Sequence, residues 1–175
     1  MTYKSGLWAI LVAGLVLFYG CGDKKGVFVE TIKSKYTVAD GVKRFEKILD
    51  EKGLTLFQVV DHAQNAKNIS LELMPNTMVV LGDPAIGTKL IKCNQTMGLD
   101  IPFKVLFYSD YEGNHWISYT NPEYYTLKHN IKDKECLEII SKTKVALQII
   151  TDELADHSSE GSGKEETQQT KETKE

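Results

Sequence analysis

The sequence has little proline and little cysteine, with 4 Pro and 3 Cys in 175 residues. Collagen-like chains are excluded, and 42% hydrophobic residues exclude a chain that is disordered throughout. The cysteines, at 21, 93 and 136, show no C-x-x-C spacing, so zinc-ribbon and thioredoxin-type chemistry find no support. His62, His115, His129 and His157 show no H-E-x-x-H spacing, so no metal site is read. No serine sits in a G-x-S-x-G elbow, which leaves an esterase without its signature. Charge excess is missing too. The formal net charge is −3, and no basic stripe interleaves with aromatics, which speaks against nucleic acid as a partner.

What is present is unevenly spread. Residues 6–20 run from Gly6 to Gly20 without a charge, behind Lys4. A bilayer-crossing helix needs roughly 20 apolar residues, whereas the core of a signal peptide needs about 7–15. The run fits a signal peptide over 1–20. Gly20-Cys21-Gly22-Asp23 follows it and resembles the lipobox of bacterial lipoproteins. That resemblance implies cleavage before Cys21, acyl chains on Cys21, and a membrane partner reached through them. Phe18 and Tyr19 depart from the pattern, where Leu and a small residue are commoner, so an uncleaved N-terminal anchor is the alternative. Both readings place the remaining chain in the bacterial cell envelope, facing the periplasm or the exterior. Residues 21–26 then form a short polar linker. At the other end, 158–175 holds no aliphatic or aromatic side chain to offset ordering entropy, and reads as a disordered tail.

With Cys21 lipidated, Cys93 and Cys136 remain. An oxidising compartment permits a disulfide between them. The plainer reading is two buried thiols on separate helices, each behaving as a small hydrophobe.

Between linker and tail the pattern is that of one compact α+β domain. Val27–Lys33 alternates as a strand does. Val38, Val42, Phe45 and Leu49 recur at helical spacing behind a Thr37/Asp40 cap, with Gly53 as the stop. Leu54–Val60 reads as a second strand and Asp61–Asn68 as a polar connection. Ser70–Met74 and Thr77–Leu81 read as extended pieces, and Gly87–Met97 as a short helix. Phe103–Tyr108 and His115–Thr120 form a hairpin about Asp110–Asn114, which leaves His115 facing solvent beside the turn. Pro122 opens a helix, and a longer one covers about 133–156.

Gly82-Asp83-Pro84-Ala85-Ile86-Gly87-Thr88-Lys89 superficially matches a phosphate loop, but Lys and Thr stand in the wrong order and Asp83 would repel phosphate. The milder expectation is that free amides at this helix start hold a small anion. His62 is the most promising titratable group, suited to exchanging protons or binding a metal near neutral pH, against the plainer role of bonding loop backbone.

Several blocks then agree in order with one family. They include Asp61-His62-Ala63-Gln64, Leu71-Glu72-Leu73-Met74-Pro75, Gly82-Asp83-Pro84, Leu99-Asp100-Ile101-Pro102-Phe103-Lys104 and Trp116-Ile117-Ser118-Tyr119-Thr120-Asn121-Pro122. Over residues 27–130 the chain resembles the family called domain of unknown function 302. The resemblance implies an antiparallel sheet with packed helices and a homodimer, and supplies no reaction. Residues 131–157, a C-terminal helix, and the tail look like additions. His62, Glu72, Asp83, Thr88, Asp100, Lys104 and Tyr119 lie in the matching stretches. In one reading they converge on a pocket lined by Leu71, Met74, Phe103 and Trp116; in the plainer one Asp83-Pro84 and Asp100-Ile101-Pro102 are turn chemistry and Lys104 is a solvated strand residue. Of these, His62, Glu72, Lys104 and Tyr119 are the ligand-binding candidates, with Lys104 meeting an anionic group. No cofactor is identified. Two functions follow: a lipid-tethered module that binds or senses a small ligand, or a small envelope enzyme using His62 and Glu72 as acid and base.

Overall fold

The computed structural model describes residues 28–159. The leader, Cys21, the linker and the chain from 160 onward lie outside them. The elements run β1 (Val29–Lys33), α1 (Val38–Glu51), β2 (Thr55–Asp61), α2 (His62–Asn68), β3 (Asn76–Gly82), α3 (Pro84–Cys93), β4 (Phe103–Ser109), β5 (His115–Thr120), α4 (Glu123–Lys128) and α5 (Lys134–Asp152). The five strands form one antiparallel sheet in the order β1-β5-β4-β3-β2. Strands β2 to β5 are thus a meander of sequence neighbours, and β1 joins it from the far edge. The domain is α+β.

Helix α1 forms where apolar spacing and capping agree. The Asp40 amide donates to Thr37 Oγ1 at 3.3 Å, and the Thr37 hydroxyl donates to the Asp40 carboxylate at 2.9 Å. Its stripe of Val38, Phe45, Ile48 and Leu49 is buried against the sheet. Gly41 lets the helix approach closely, since a Cβ there would stand 3.1 Å from the Phe107 ring. Gly53, at φ +67°, ends the element in a left-handed conformation that suits glycine. Helix α5 lies beside α1 and buries Ile140, Leu147 and Ile150.

Register sorts the sheet side chains. Thr77 and Val79 of β3, Val105, Phe107 and Ser109 of β4, and His115, Ile117 and Tyr119 of β5 share the core face. On the other face Met78, Leu106, Tyr108 and Trp116 are half-buried and Lys104 is exposed.

Several expectations change. The polar stretch after β2 is a helix, α2, that buries no side chain. It is held by its ends, through the Asp61 carboxylate accepting from the Gln64 amide at 2.9 Å and a Gln64–Asn68 side-chain bond at 2.9 Å. Residues 71–74 belong to no strand, and Ser70 before them turns the chain at φ 60°. The short helix begins at Pro84, and Gln95–Leu99 continues it as a 3-10 helix. Ser158, read as the start of the tail, donates twice to the Asp156 carboxylate, and the rest of the expected tail lies outside the described residues.

The two thiols are not separate. Cys93, at the end of α3, and Cys136, in the first turn of α5, are joined as a disulfide 43 positions apart in sequence. The helices they end and begin pack side by side, which the spacing in sequence could not show.

Close to that bridge lies a polar knot. His129 is 4% exposed, with Nε2 2.6 Å from Asp100 and Nδ1 2.7 Å from the Thr96 hydroxyl. Lys128 donates to the other Asp100 oxygen at 2.8 Å. Burial pushes the Asp100 carboxyl up, but the bonds and charges of Lys128 and His129 outweigh it and hold it below its ordinary value. A carboxyl lowered on folding contributes stability that is present above the unfolded value, 3.8, and lost as pH falls through the folded one. Asp100→Asn is therefore expected to cost about 1–3 kcal/mol at neutral pH, and less in strong acid. Urea melts at neutral pH and at pH below the unfolded value check this. An unchanged difference between the two would show that Asp100 is not the group responsible.

Candidate functional site

The largest cleft, about 1120 Å³, opens on the core face at the end of the sheet that carries the β4–β5 turn. Its walls come from the start of α1 (Val38, Val42), from Val59 and Asp61 on β2, and from the extended segment with Leu71, Glu72 and Met74. Thr77, Ser109 and His115 close its inner end. The cleft exists because α1 covers the middle of β3 and β4 while the chain after α2 runs across their ends without joining the sheet.

Its most constrained polar group is His115. Ser109 and His115 face each other across the hairpin, and Ser109 Oγ lies 2.8 Å from His115 Nδ1. That contact fixes the ring and leaves Nε2 with no partner among the described residues. Thr77, on the same face and nearly buried, also makes no side-chain hydrogen bond, and neither does Glu72 at the rim. Every fully buried side-chain nitrogen or oxygen among the described residues has a partner, so these open positions are ones that solvent reaches in the cleft. They stand beside a lining of Val38, Val42, Val59, Leu71 and Met74, complementary to a mostly apolar small molecule with one hydrogen-bonding end. Among the described residues no three His, Cys, Asp or Glu side chains cluster as a metal site would require.

The expected pocket is only partly assembled. Leu71, Glu72 and Met74 line the cleft. His62 opens α2 beside it, half-buried, while its neighbours Asp61 and Ala63 form the wall. Lys104 is on the opposite sheet face and donates to the Pro102 carbonyl at 3.4 Å. Tyr119 is buried beneath α5, bonded to Thr151, with burial raising its phenol above the ordinary value. Phe103 and Trp116 lie away from the cleft. The Trp116 indole donates to Asp110 at 2.8 Å, and this bond leads the contacts that hold the Asp110 carboxyl down to about 2. Thr88 bonds the Pro84 carbonyl within its own helix. Asp83 caps α3, its carboxylate accepting from Ala85 and Ile86 at 2.7 and 3.3 Å, so the amides expected to hold an anion are already held by this side chain. His115, expected in solvent, is half-buried in the cleft. Ser109 was not singled out at all. The only signal for the pair was the hairpin itself, whose register decides that residues six apart face each other.

Comparison with known proteins gives the fold company. A crystal structure of an uncharacterized conserved protein DUF302 from Bacillus stearothermophilus superposes with a TM-score of 0.66 at 18% identity. The match covers 74% of this chain and 99% of that one. Two proteins named fluoride-specific ion channel FluC 1, from Brucella suis biovar 1 and Brucella abortus biovar 1, are each 31% identical over 101 residues. The match covers 58% of this chain but only 40% and 37% of those proteins, so the chain spans about two fifths of their length. The family model described as "Domain of unknown function DUF302" matches residues 30–154, from the first paired strand to the end of α5. The helix that looked like an addition is therefore part of the shared unit, and the chain belongs to the DUF302 family.

Proposed function

We propose that the chain is a cell-envelope lipoprotein, tethered through Cys21, whose domain binds a small, mostly apolar ligand in the cleft with His115 Nε2 as its polar contact. The observation that carries this is the His115 ring, fixed through Nδ1 by Ser109 and left open at Nε2 in an apolar-walled cleft. The Cys93–Cys136 disulfide supports an oxidising location, because such bridges are rare in reducing compartments. Relatives named as ion channels carry the matching stretch inside longer chains, which supports a module that works beside a membrane. Glu72 at the rim fits a ligand contact, whereas an acid–base pair needs His62 and Glu72 together, and they make no hydrogen bond or ion pair with each other.

Native mass spectrometry of the full chain, extracted from bacterial membranes in mild detergent, tests this. Wild type is expected to retain an added mass that His115→Ala loses at least tenfold, with the thermal midpoint unchanged. A wild-type protein that carries nothing and takes up no apolar metabolite from an added cell extract would end the binding reading.

The same module is proposed to pair with a second copy. Among the described residues strand β2 is a sheet edge with no neighbour on one side, uncharged from Thr55 to Val60, and Leu56, Phe57 and Val59 on it are exposed. Such edges are normally covered or charged. Phe57→Lys is expected to shift a dimer to monomer in analytical ultracentrifugation, and a monomeric wild type would refute the pairing.

A further inference from the structure

Exposed apolar side chains gather at one end of the domain, away from the cleft. Phe28, the first described residue, is 48% exposed and packs its ring 4.5 Å from that of Tyr124. Leu127 lies one helical turn on from Tyr124 in α4 and is 75% exposed. Leu99, also 75% exposed, immediately precedes Asp100, whose carboxylate binds Lys128 and His129 at the end of the same helix. Lys128 and Lys132 are exposed, and the Lys128 ammonium is paired with Asp100, so the patch is apolar rather than charged. An exposed apolar patch of this kind matches the acyl boundary of a bilayer.

The sequence position of this patch names its occupant. Phe28 is seven residues from Cys21, and a chain spans at most about 3.3–3.6 Å per residue, so Phe28 stays within roughly 25 Å of the anchor point. Strand β1 then climbs away from Val29, paired with Thr120, to Lys33, paired with Trp116 near the hairpin. The cleft residues Ser109 and His115 sit at that far end. We infer that the Phe28–Tyr124–Leu127 end, with Leu99, rests on the lipid bilayer that holds Cys21, and that the cleft opens away from it. This rests on the reading of Cys21 as lipid-anchored.

The test uses the full chain carrying Trp8→Phe, with and without Leu127→Trp. Each is reconstituted in vesicles of phosphatidylethanolamine and phosphatidylglycerol whose acyl chains are brominated near the carbonyl end. The mass of the extracted protein reports acylation of Cys21. Bromine is expected to quench the Leu127→Trp protein at least twofold more than its parent, whose remaining indole, Trp116, lies toward the hairpin. An acylated chain with equal quenching in both proteins overturns the bilayer contact alone. Blue-shifted emission without quenching does the same, and points to a second protein copy on the patch. A chain without acyl groups overturns the anchor reading, and this inference with it.

Discussion

Replacing Cys93 and Cys136 together by Ala is expected to lower the free energy of unfolding by about 4 kcal/mol, from the chain entropy of a closed loop of this length. The bridge spans the 3-10 helix, β4, β5 and α4, so an unfolded chain that keeps it cannot separate the sheet's central hairpin from the helix packed against it. Reducing the wild type should reproduce the loss, because both treatments remove the same link. Denaturant melts of the variant, the oxidised wild type and the reduced wild type make the comparison. A loss below about 1 kcal/mol in both would show that the unfolded chain gains little freedom when the link is cut. Ala rather than Ser is the replacement to use, since Cys136 is buried and a hydroxyl there would add a desolvation cost of its own.

Phe45→Ala is expected to cost about 3–5 kcal/mol. Phe45 has no exposed surface, and its ring meets that of Phe107 at 5.3 Å, where α1 crosses the sheet. The closeness of the helix at Gly41 holds the backbone near Phe107 and gives the neighbourhood little room to collapse into the space left behind. Phe45→Leu, which retains most of the volume, should cost clearly less. Equal losses in the two variants would mean that ring contact rather than cavity volume sets the penalty. Since Phe45 lies outside the disulfide loop, the two changes should roughly add. Their sum would consume most of the stability of an ordinary domain, about 5–15 kcal/mol.

The elements legible in the sequence were those whose burial leaves a period. Alternation marked β1, β4 and β5, and the Val38–Leu49 stripe marked α1. Helix α2 left no period, because none of its seven residues is buried and only its end bonds hold it. The disulfide stayed one of two readings for a related reason: no spacing rule says that α3 and α5 lie side by side. For the site, Glu72, Leu71 and Met74 were brought together at one cleft because they share one segment. Lys104 was not, since a strand sends alternate residues to opposite faces and the face is settled only by the neighbours, and Tyr119, although on the core face, lies under α5 away from the cleft. His115 and Ser109 needed the register of a hairpin to meet. Pairs made by topology stay hidden until the topology is known.

The placement of β1 bears on how the domain is made. Thr31 bonds Ser118 although 87 positions separate them, while β2 through β5 each pair with the next strand in line. In a chain delivered from its N-terminus, whether by ribosome or by export channel, β1 emerges first and is completed nearly last. Until β5 arrives, β1 has no strand neighbour, and the open side of β4 is the place β5 will take. A chain interrupted before residue 115 therefore carries two unmatched edges instead of one finished sheet, and the time between the emergence of β1 and β5 is its period of greatest exposure to proteases and to other nascent copies.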